Sequence, residues 1–582
     1  MKVIDQEPIK DSTADLSKEK NLQRSTIWDF KARGEPFVWS LGGALAIGIL
    51  MIVGFVTLIA YNGILTFYPR PIHVVELKDG SKVAGDLIRS ETFKPGPDVL
   101  KSLREDDRAK IEKSDGIVKR LLLRTGNFDL YNDDFKWVSD YEIRKDSNPK
   151  NLLYVERLEW GPFIGIAKSL DLNGKIFQGS MLSNELLSQA QEEAEQRRLR
   201  IYEIERTEIG VINHFLEKAR LALRRIELRY GLQSQEYSEA QRKYVVEKEK
   251  LEAQYHELAS EASAIKQVDS QFLVHLEDVN GKAKSLPLSQ ITRFYTANEL
   301  SFWDKIWIYF SRWYEFITQE PREANSEGGV MPAIFGTFCM TVLMALAVAP
   351  FGVIAALYLK EYAKQGRLVS LIRICVNNLA GVPSIVYGVF GLGFFAYVLG
   401  GNIDQLFYPE RLPTPTFGSG GLLWASLTLA LLTVPVVIVA TEEALAAVPQ
   451  SMREGSLACG ASKWQTIKWI VLPRAMPGIM TGLILAMARG AEEVAPLMLV
   501  GVVKLAPELP IDSFFPFIHL ERSFMHLGFH IFDLGFQSRN SEAAIPMVYV
   551  TTLLLITLVF AMNIISVVVR NRLKRKFFTG HF

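Results

Sequence analysis

The chain alternates long apolar stretches with one long polar region. Five stretches contain no Asp, Glu, Lys or Arg, and they are residues 36–69, 328–359, 374–403, 412–441 and 543–569. A sixth stretch, residues 475–503, is equally apolar apart from Arg489, Glu492 and Glu493. About 20 apolar residues suffice to cross a bilayer as a helix. The pattern therefore predicts an all-α polytopic membrane protein with six transmembrane helices.

The first apolar stretch has the features of an uncleaved membrane anchor. Its apolar core, residues 37–60, is longer than the ~7 to 15 residues of a signal-peptide core, and no A-x-A-like cleavage site follows it. It also follows a polar segment at residues 1–36. We therefore expect an N-terminal tail at 1–36 and transmembrane helix 1 at 37–68.

The basic residues of the short loops predict the orientation. Thirteen of them follow the second span, the fourth span and the sixth span: Lys360, Lys364, Arg367, Arg373, Arg453, Lys463, Lys468, Arg474, Arg570, Arg572, Lys574, Arg575 and Lys576. The opposite loops have four, which are Arg411, Lys504, Arg522 and Arg539. Because Lys and Arg concentrate on the cytoplasmic side, both termini, including the tail at 570–582, are expected in the cytoplasm. Residues 69–327 are then expected outside, in the periplasm of a Gram-negative cell.

Composition narrows the class of protein. The 582 residues include 65 basic and 64 acidic side chains, a balance that excludes a nucleic-acid-binding protein driven by bulk electrostatics. All three cysteines lie outside residues 69–327. The external region therefore contains no disulfide and has to be stabilised by its own core.

The external region combines a helical pattern with strand patterns. No proline occurs between residues 183 and 265, and apolar residues recur with coiled-coil spacing at Ile212, Leu216, Ala219, Leu223, Ile226 and Tyr230, and then at Tyr237, Tyr244, Leu251, Tyr255, Leu258, Ala262 and Ile265. Gly231 separates the two runs, which favours an antiparallel helical hairpin over one long rod. Strands are predicted at residues 73–77, 82–88, 272–276 and 291–295. The prediction is a small β-rich domain interrupted by a helical hairpin.

The loop at residues 441–474 carries the most specific motif. Its sequence resembles the coupling motif of binding-protein-dependent ABC importers, E-A-A, three residues, G, nine residues, I-x-L-P. The matching positions are Glu454, Gly455, Ser456, Gly460, Ile470, Leu472 and Pro473. Gly455 and Ser456 replace the two alanines, and glycine costs about 1 kcal/mol of helix stability relative to alanine. We expect a short helix, a turn at Gly460 and a second helix that stops at Pro473, forming a rigid cytoplasmic projection for ATPase coupling.

Other segments are similar to one transporter family. Residues 377–388 and 489–497 resemble the permease subunits of the phosphate-specific ABC transporter, and residues 34–39, residues 526–530 and the large insert resemble the long form of its PstA-type subunit. The resemblance implies a type I ABC importer permease core at residues 328–569. It also implies four kinds of partner: a second homologous permease, two copies of an ABC ATPase subunit, a periplasmic phosphate-binding protein and membrane lipid.

The charges in the fifth span predict part of a substrate pathway. A charged side chain near the bilayer centre costs ~2.5 to 3.5 kcal/mol and usually faces a protein interior or an aqueous path. Arg489 and Glu493 are four residues apart and can pair, while Pro496 is expected to bend the helix. Arg489 is the candidate anion contact because its guanidinium group matches a phosphate fork. A purely structural Arg–Glu pair is the alternative. The family usually has R-x-x-G-E-T, and Glu492 replaces that glycine here.

A second interruption occurs in the third span. Gly381 and Pro383 precede Ser384, and a helix that restarts there would offer free N–H groups to an anion. Asn378 and Ser384 are therefore included in the predicted pathway. Helix packing alone would equally account for glycine and proline at these positions.

Several chemistries are excluded. The sequence contains no G-x-x-x-x-G-K-[ST], so no P-loop binds ATP on this chain, and the energy is expected from another polypeptide. His256 begins half of a zincin motif that lacks its second histidine. No catalytic residue, metal site or cofactor is predicted. The leading hypothesis is a phosphate permease. The alternatives are a permease for another oxyanion, such as phosphonate or sulfate, and a signalling or scaffold protein that acts through the external hairpin.

Overall fold

A computed structural model describes residues 36–578, apart from 97–99, 101–104, 106–107, 109–110, 112–113 and 539–540. Residues 1–35 of the predicted N-terminal tail, Arg539 and residues 579–582 of the predicted C-terminal tail lie outside the described residues. The chain divides into two compact units, residues 1–61 and 62–582. In the described part of the first unit, the chain forms most of one apolar helix, α1 (Pro36–Leu65).

Six helices are long and apolar enough to cross a membrane, which confirms the six predicted spans. They are Trp39–Leu65, Met331–Tyr362, Ser384–Phe407, Leu422–Ala446, Lys463–Glu492 and Ser541–Arg572. Helix is the expected form because the bilayer offers no water to the backbone N–H and C=O groups, which a helix satisfies internally.

The region between the first two spans, which we call the external domain after its predicted position, contains two antiparallel sheets. Its strands are β1 (Ile72–Leu77), β2 (Lys82–Phe93), β3 (Val118–Arg124), β4 (Phe135–Ser139), β5 (Ile143–Ser147), β6 (Leu153–Arg157), β7 (Phe163–Leu172), β8 (Lys175–Gln178), β9 (Phe272–Glu277), β10 (Ala283–Pro287), β11 (Ile291–Thr296), β12 (Pro321–Arg322) and β13 (Glu327–Gly328). The first sheet has the order β4-β3-β2-β1-β5, and the second has β10-β9-β7-β6-β11 with β8 paired to β7. Strands β12 and β13 form a separate pair. The four predicted strands correspond to β1, β2, β9 and β11.

A tight turn joins the first two strands at the predicted position. Glu76 pairs with Lys82, and Gly80 between them has φ +89°, a conformation that suits glycine. The Asp79 carboxylate accepts a hydrogen bond from the Ser81 N–H at 2.9 Å. The local sequence therefore sets the register of this hairpin.

The helical part of the external domain reverses direction at Gly231. Its helices are α2 (Phe128–Tyr131), α3 (Asn184–Tyr202), α4 (Ile209–Tyr230) and α5 (Gln235–Asp269), and a π-helical segment, Glu203–Glu208, joins α3 to α4. Gly231 has φ +83°, and the Ser234 side chain caps α5 by accepting from the Tyr237 N–H. Leu187 and Ala190 of α3 are buried in one cluster with Val274 of β9. The second sheet therefore holds the base of the hairpin.

An amphipathic helix, α6 (Phe302–Thr318), precedes the second membrane span. The Phe67 ring, just after α1, lies 5.2 Å from the rings of Trp313 and Phe316 on α6. The Arg312 guanidinium donates to the Phe67 carbonyl oxygen at 3.0 Å. The two connections between the external domain and the membrane therefore pack side by side.

The permease part contains eleven further helices among the described residues. They are α7 (Met331–Leu357), α8 (Arg367–Leu379), α9 (Ser384–Phe390), α10 (Gly401–Phe407), α11 (Leu422–Ala446), α12 (Gln450–Ala458), α13 (Lys463–Thr466), α14 (Leu472–Glu492), α15 (Leu497–Val500), α16 (Leu527–Phe532) and α17 (Ser541–Phe578). Met344 of α7, Leu429 of α11 and Ala486 of α14 are fully buried in one core cluster. A Cβ atom at Gly352 would approach Val437 Cγ1 to 2.6 Å, so glycine permits α7 and α11 to pack closely.

Three of the six helices begin about ten residues away from the starts of the apolar stretches that predicted them, and the fourth span begins at Leu422 rather than at residue 412. The third span begins at Ser384 rather than at residue 374, because the preceding residues form a separate helix, α8. The fifth begins at Lys463 and ends at Glu492 rather than extending over 475–503.

The prediction that the helix stops at Pro473 is also wrong. A π-helical segment, Ile467–Val471, joins α13 to α14, and Pro473 lies in the first turn of α14. The Leu472 N–H donates to the Ile467 carbonyl, so the hydrogen-bonding register changes just before the proline. Proline is tolerated in a first helical turn because its N–H would be unpaired there.

Candidate functional site

The coupling-motif loop forms a short projecting helix between two membrane helices. Helix α11 ends at Ala446, α12 follows, and Gly460 turns the chain with φ +83°. The Ser462 and Gln465 side chains then form a capping box at the start of α13. The first two parts of the predicted arrangement, the short helix and the turn at Gly460, are therefore present.

Arg453 anchors the projection to two membrane helices. Its guanidinium group donates to the carbonyl oxygens of Leu445 and Val448, each at 2.6 Å, and pairs with the Glu361 carboxylate at 3.1 Å. Leu445 lies at the end of α11, while Glu361 lies in the π-helical segment Tyr358–Tyr362 that extends α7. Sequence reasoning missed this contact because Glu361 is 92 residues distant in the chain.

The predicted coupling residues divide into an exposed group and a packed group. Glu454, Gly455 and Gly460 are exposed, and a Cβ atom at Gly455 would meet no atom of the described residues within 4 Å. Glycine in place of alanine therefore removes no packing contact. Ser456 is half-buried, and its hydroxyl lies 2.9 Å from that of Thr466.

The remaining motif residues connect the projection to the core. Leu472 packs against a buried cluster that includes Leu445, Val448 and Val471. Ile470 and Pro473 are half-buried. The motif thus presents an exposed face on α12 and an apolar base on α11 and α14.

The charged residues of the fifth span lie where the helix ends. Glu492 is the last helical residue and is exposed, while Glu493 adopts an extended conformation with φ −75° and ψ 129°. The Arg489 Nε lies 3.8 Å from Glu493 Oε1, and 40% of the Arg489 side chain is accessible. The prediction of a bend is therefore corrected to a complete break, after which a short helix, α15, follows Pro496.

The chain is also broken between α8 and the third span, and Ser384 is the first helical residue after this break. Helix α8 ends at Leu379, and α9 begins at Ser384. The Leu379 carbonyl accepts a hydrogen bond from the Tyr387 hydroxyl at 2.7 Å, which links the two helices across the break. Asn378, near the end of α8, is exposed.

The structure brings parts of the two broken helices into contact. A Cβ atom at Gly388 would approach Pro496 Cα to 2.7 Å, so α9 packs directly on the chain that follows Glu493. Gly388 lies about one turn beyond Ser384. Backbone that is not helical at membrane depth requires protein or water around it, and this contact supplies protein on one side.

A third segment, around Gly528, packs against the break at the end of the fifth span. It was not predicted from the sequence. A Cβ atom at Gly528 would approach Val494 Cγ2 to 2.6 Å, and the Leu527 N–H donates to the Thr337 hydroxyl of α7 at 2.9 Å. His526 is fully buried, and burial lowers its pKa to about 4. The sequence signal was the 526–530 stretch, which contributed to the family resemblance but not to the predicted site.

The helical hairpin of the external domain, α4 and α5, contacts two loops of the permease part. Arg225 of α4 pairs with Glu410, between the third and fourth spans. The His214 ring stacks on the Phe514 ring, between the fifth and sixth spans, with centroids 4.0 Å apart. Neither contact was predicted, because each joins residues far apart in the chain.

The described residues contain no group of three or more His, Cys, Asp or Glu side chains that could hold a metal ion.

Comparison with known proteins gives the family. Residues 348–575 match the model of the binding-protein-dependent transport system inner membrane component family. The probable ABC transporter permease protein YqgI of Bacillus subtilis is 30% identical over 235 residues, which cover 40% of this chain and 74% of that protein. Two further relatives are 35% and 36% identical and each cover 34% of this chain: the probable ABC transporter permease protein YqgH of B. subtilis and the phosphate transport system permease protein PstA 1 of Mycobacterium tuberculosis.

The matches are partial in both directions. The chain spans 62% of the length of YqgH and of PstA 1. Among solved structures, an inward-facing MetNI methionine ABC transporter chain matches with 17% identity and a TM-score of 0.31, covering 41% of this chain and 94% of that one. With a relative 30% identical over most of its length, the chain belongs to the binding-protein-dependent transport system inner membrane component family, as a PstA-type ABC permease.

Proposed function

We propose that this chain is a permease subunit of an ATP-driven importer for inorganic phosphate. The observation that carries the proposal is the α12 projection, which exposes Glu454 and is anchored through Arg453 to α7 and α11. A rigid helix that projects from two membrane helices can transmit the movement of a docked subunit.

The coupling is mechanical. Separate ATPase subunits bind the exposed face of α12, and the bond between Arg453 and Glu361 transmits their movement to α7. The continuous helical path from Lys463 to Glu492 carries it to the broken end beside Arg489. The projection transmits force and performs no chemistry.

Arg489 is the proposed anion contact. A guanidinium group donates two parallel hydrogen bonds to a phosphate oxyanion, and its side chain is partly accessible in this chain. Glu493, 3.8 Å away, orients Arg489 and competes with the anion, which favours release. Ser384 and Asn378 border the other break and complete the proposed pathway, with Glu492 at its edge. The PstA name of several relatives supports phosphate as the anion.

The proposed assembly contains a second homologous permease, two ATPase subunits and a periplasmic phosphate-binding protein. We place both termini in the cytoplasm and the sheet domain outside. In this orientation α12 faces the ATPase subunits and the external hairpin faces the compartment of the binding protein.

An uptake assay tests the function. The complete complex is reconstituted in liposomes with ATP on the α12 side and radiolabelled phosphate with its binding protein on the other side. We expect uptake that requires ATP and is reduced by excess unlabelled phosphate but not by sulfate or methylphosphonate. Equal competition by sulfate or methylphosphonate would assign another oxyanion instead.

The role of Arg489 is tested in the same assay. We expect Arg489→Ala to lower uptake about tenfold or more, because a charge-assisted hydrogen bond contributes ~1.5 to 3 kcal/mol. Arg411→Ala is the control, since Arg411 is an exposed arginine of an outer loop. Normal uptake by correctly assembled Arg489→Ala complexes would remove Arg489 from the pathway.

A further inference from the structure

A cavity of about 170 Å³ lies between the external sheet domain and the ends of two membrane helices. Its lining includes five arginines, which are Arg70, Arg124, Arg157, Arg312 and Arg322. Phe67, after α1, and Pro546 and Met547, on α17, close it on the membrane side. A cavity of ~150 Å³ accommodates a benzene molecule, so a phosphate group fits within this volume.

Ion pairing within the protein uses only part of this positive charge. Arg312 pairs with Glu156, Arg322 with Glu315, and Arg124 with Glu327, while Arg157 pairs with Asp129 outside the cavity. These pairs fix the walls of the cavity.

Arg70 differs from the other four lining arginines because it forms no ion pair with a described residue. Its guanidinium donates to the backbone carbonyls of Leu87, at 3.1 Å, and Ile88, at 3.5 Å. Among the described residues, no carboxylate pairs with it. The Asp86 carboxyl of the cavity wall interacts with Arg70 electrostatically but forms no ion pair with it, so part of the positive charge of Arg70 is left unneutralised.

Other polar groups of the cavity wall also lack partners. The Nε atoms of Arg124 and Arg322 and one carboxylate oxygen of Asp86 are buried without a hydrogen bond in the described part of the chain. Burial raises the pKa of the Asp86 carboxyl, which shifts it toward the neutral, hydrogen-bond-donating form. Tyr154 also lines the cavity. Buried polar groups are normally hydrogen-bonded, so this wall is suited to a polar ligand.

Helix α6 places the cavity at the depth of lipid headgroups. The side chains of Trp303, Trp307 and Tyr314 lie along one side of the helix and are strongly exposed, with 77% of Trp307 accessible. Trp and Tyr concentrate at the membrane–water interface, and an amphipathic helix with such a face lies in the interface plane. Arg312 and Glu315 of the same helix line the cavity.

We propose that this cavity binds a phosphate group at the outer surface of the membrane, through Arg70 and the unpaired polar atoms of its wall. The phosphate belongs either to an anionic lipid headgroup or to free inorganic phosphate, since both present the same oxyanion. The site is separate from Arg489. Its position on the outer side rests on the orientation given under the proposed function, but phosphate binding there does not depend on transport.

Binding measurements on the full-length chain in its complex test the site. The complex is purified in detergent, and its thermal unfolding midpoint is measured with added phosphatidylglycerol and, separately, with inorganic phosphate, while native mass spectrometry detects retained lipid. Arg70→Gln removes the unneutralised charge, and Arg144→Gln on β5, which pairs with Glu76 at the domain surface, is the matched control. Tyr154→Phe is a second variant that keeps the ring stacked on Tyr295.

We expect half-saturation at about tenfold higher ligand concentration in Arg70→Gln, as for the loss of a charge-assisted hydrogen bond, and a smaller weakening in Tyr154→Phe. The Arg144→Gln control should match the wild type. If phosphatidylglycerol is retained and stabilises the complex, the bound phosphate belongs to a lipid headgroup. If only inorganic phosphate stabilises the complex, the ligand is free phosphate. Equal responses of the wild type, Arg70→Gln and Tyr154→Phe to both probes would overturn the proposal.

Discussion

Arg225 of the helical hairpin donates a 3.1 Å hydrogen bond from Nε to Glu410, whose side chain is only 3% exposed in the loop between the third and fourth spans. Together with the stacking of His214 on Phe514, this contact joins the hairpin to two separate loops. One helix, α4, therefore holds the loop after the third span and the loop after the fifth. Movement in either loop is mechanically linked to the hairpin.

Reversing the charge at position 225 should release the loop that contains Glu410. Burial alone would raise the pKa of Glu410, but the hydrogen bonds from Arg225 lower it below its usual range, so the carboxylate is charged at neutral pH. In Arg225→Glu we expect faster amide hydrogen exchange at residues 408–412, equivalent to a loss of about 1 to 2 kcal/mol of local stability. The double variant Arg225→Glu/Glu410→Arg should restore protection. Unchanged exchange in the single variant would show that the pair does not hold the loop.

Removing the anchor of the α12 projection should uncouple ATP hydrolysis from uptake. Arg453→Ala leaves Glu361 without its partner and two carbonyl groups without donors. We expect the local structure to lose roughly 2 to 4 kcal/mol, so that the ATPase subunits still bind while uptake per ATP hydrolysed falls. Both rates are measured in reconstituted complexes. Cys459→Ser changes an exposed side chain of the same loop and serves as the control. Unchanged coupling in Arg453→Ala would contradict the proposed transmission path.

A methyl group at Gly388 should separate the two broken helices. The added Cβ would approach Pro496 Cα to 2.7 Å, a contact with backbone that cannot yield easily. We expect Gly388→Ala to destabilise the protein by about 1 to 3 kcal/mol, with a lower thermal unfolding midpoint and reduced uptake. Gly393→Ala is the matched control, because a Cβ atom there would meet no atom within 4 Å in the part of the chain that the structure describes. Equal behaviour of the two variants would show that this close approach is unimportant.

Acid should destabilise the segment around Gly528, which packs on the break at the end of the fifth span. Burial lowers the pKa values of His526 and His530 to about 4. The unfolded chain, with a histidine pKa near 6.5, then binds more protons between pH 6.5 and 4. Stability is therefore retained above pH 6.5 and falls as the pH drops toward 4, by about 3 kcal/mol for each histidine.

Thermal unfolding between pH 7.5 and 4.5 measures this effect. His530 lies near Asp533 and Lys504, and neither of its ring nitrogens has a hydrogen-bond partner among the described residues. His530→Leu should therefore reduce the acid sensitivity. His256→Leu, at an exposed position on α5, should not. An identical pH dependence in His530→Leu and the wild type would exclude His530 as a source.

The membrane spans were predictable because the bilayer imposes a length and an apolar composition on every crossing helix. The effect of individual prolines on helix continuity was not predictable. Pro473 was expected to stop a helix and lies inside one, since a π-helical segment absorbs the change in register. Pro496 was expected to bend a helix and instead follows a complete break, where α9 and the chain around Gly528 pack on the extended residues. Tertiary neighbours decided both outcomes.

The two sheets also show that local sequence predicts local contacts but not long-range ones. The turn at Gly80 is encoded locally and was predicted with its two strands. The pairing of β1 with β5 joins Val74 to Ser147, and no local pattern specifies such a distant partner. The missed contacts of the candidate site, Arg453 with Glu361 and Arg225 with Glu410, are likewise long-range. The coupling-motif loop was identified from the sequence because its residues are close together in the chain.

The side-by-side packing of Phe67 and α6 has an evolutionary consequence. Because Phe67 and α6 lie side by side, the domain between them begins and ends at adjacent points of the fold, a geometry that tolerates insertion and excision. An ancestral gene could have acquired these residues in one event without rerouting any crossing helix, and a chimaera could exchange the domain between homologues at the same junction.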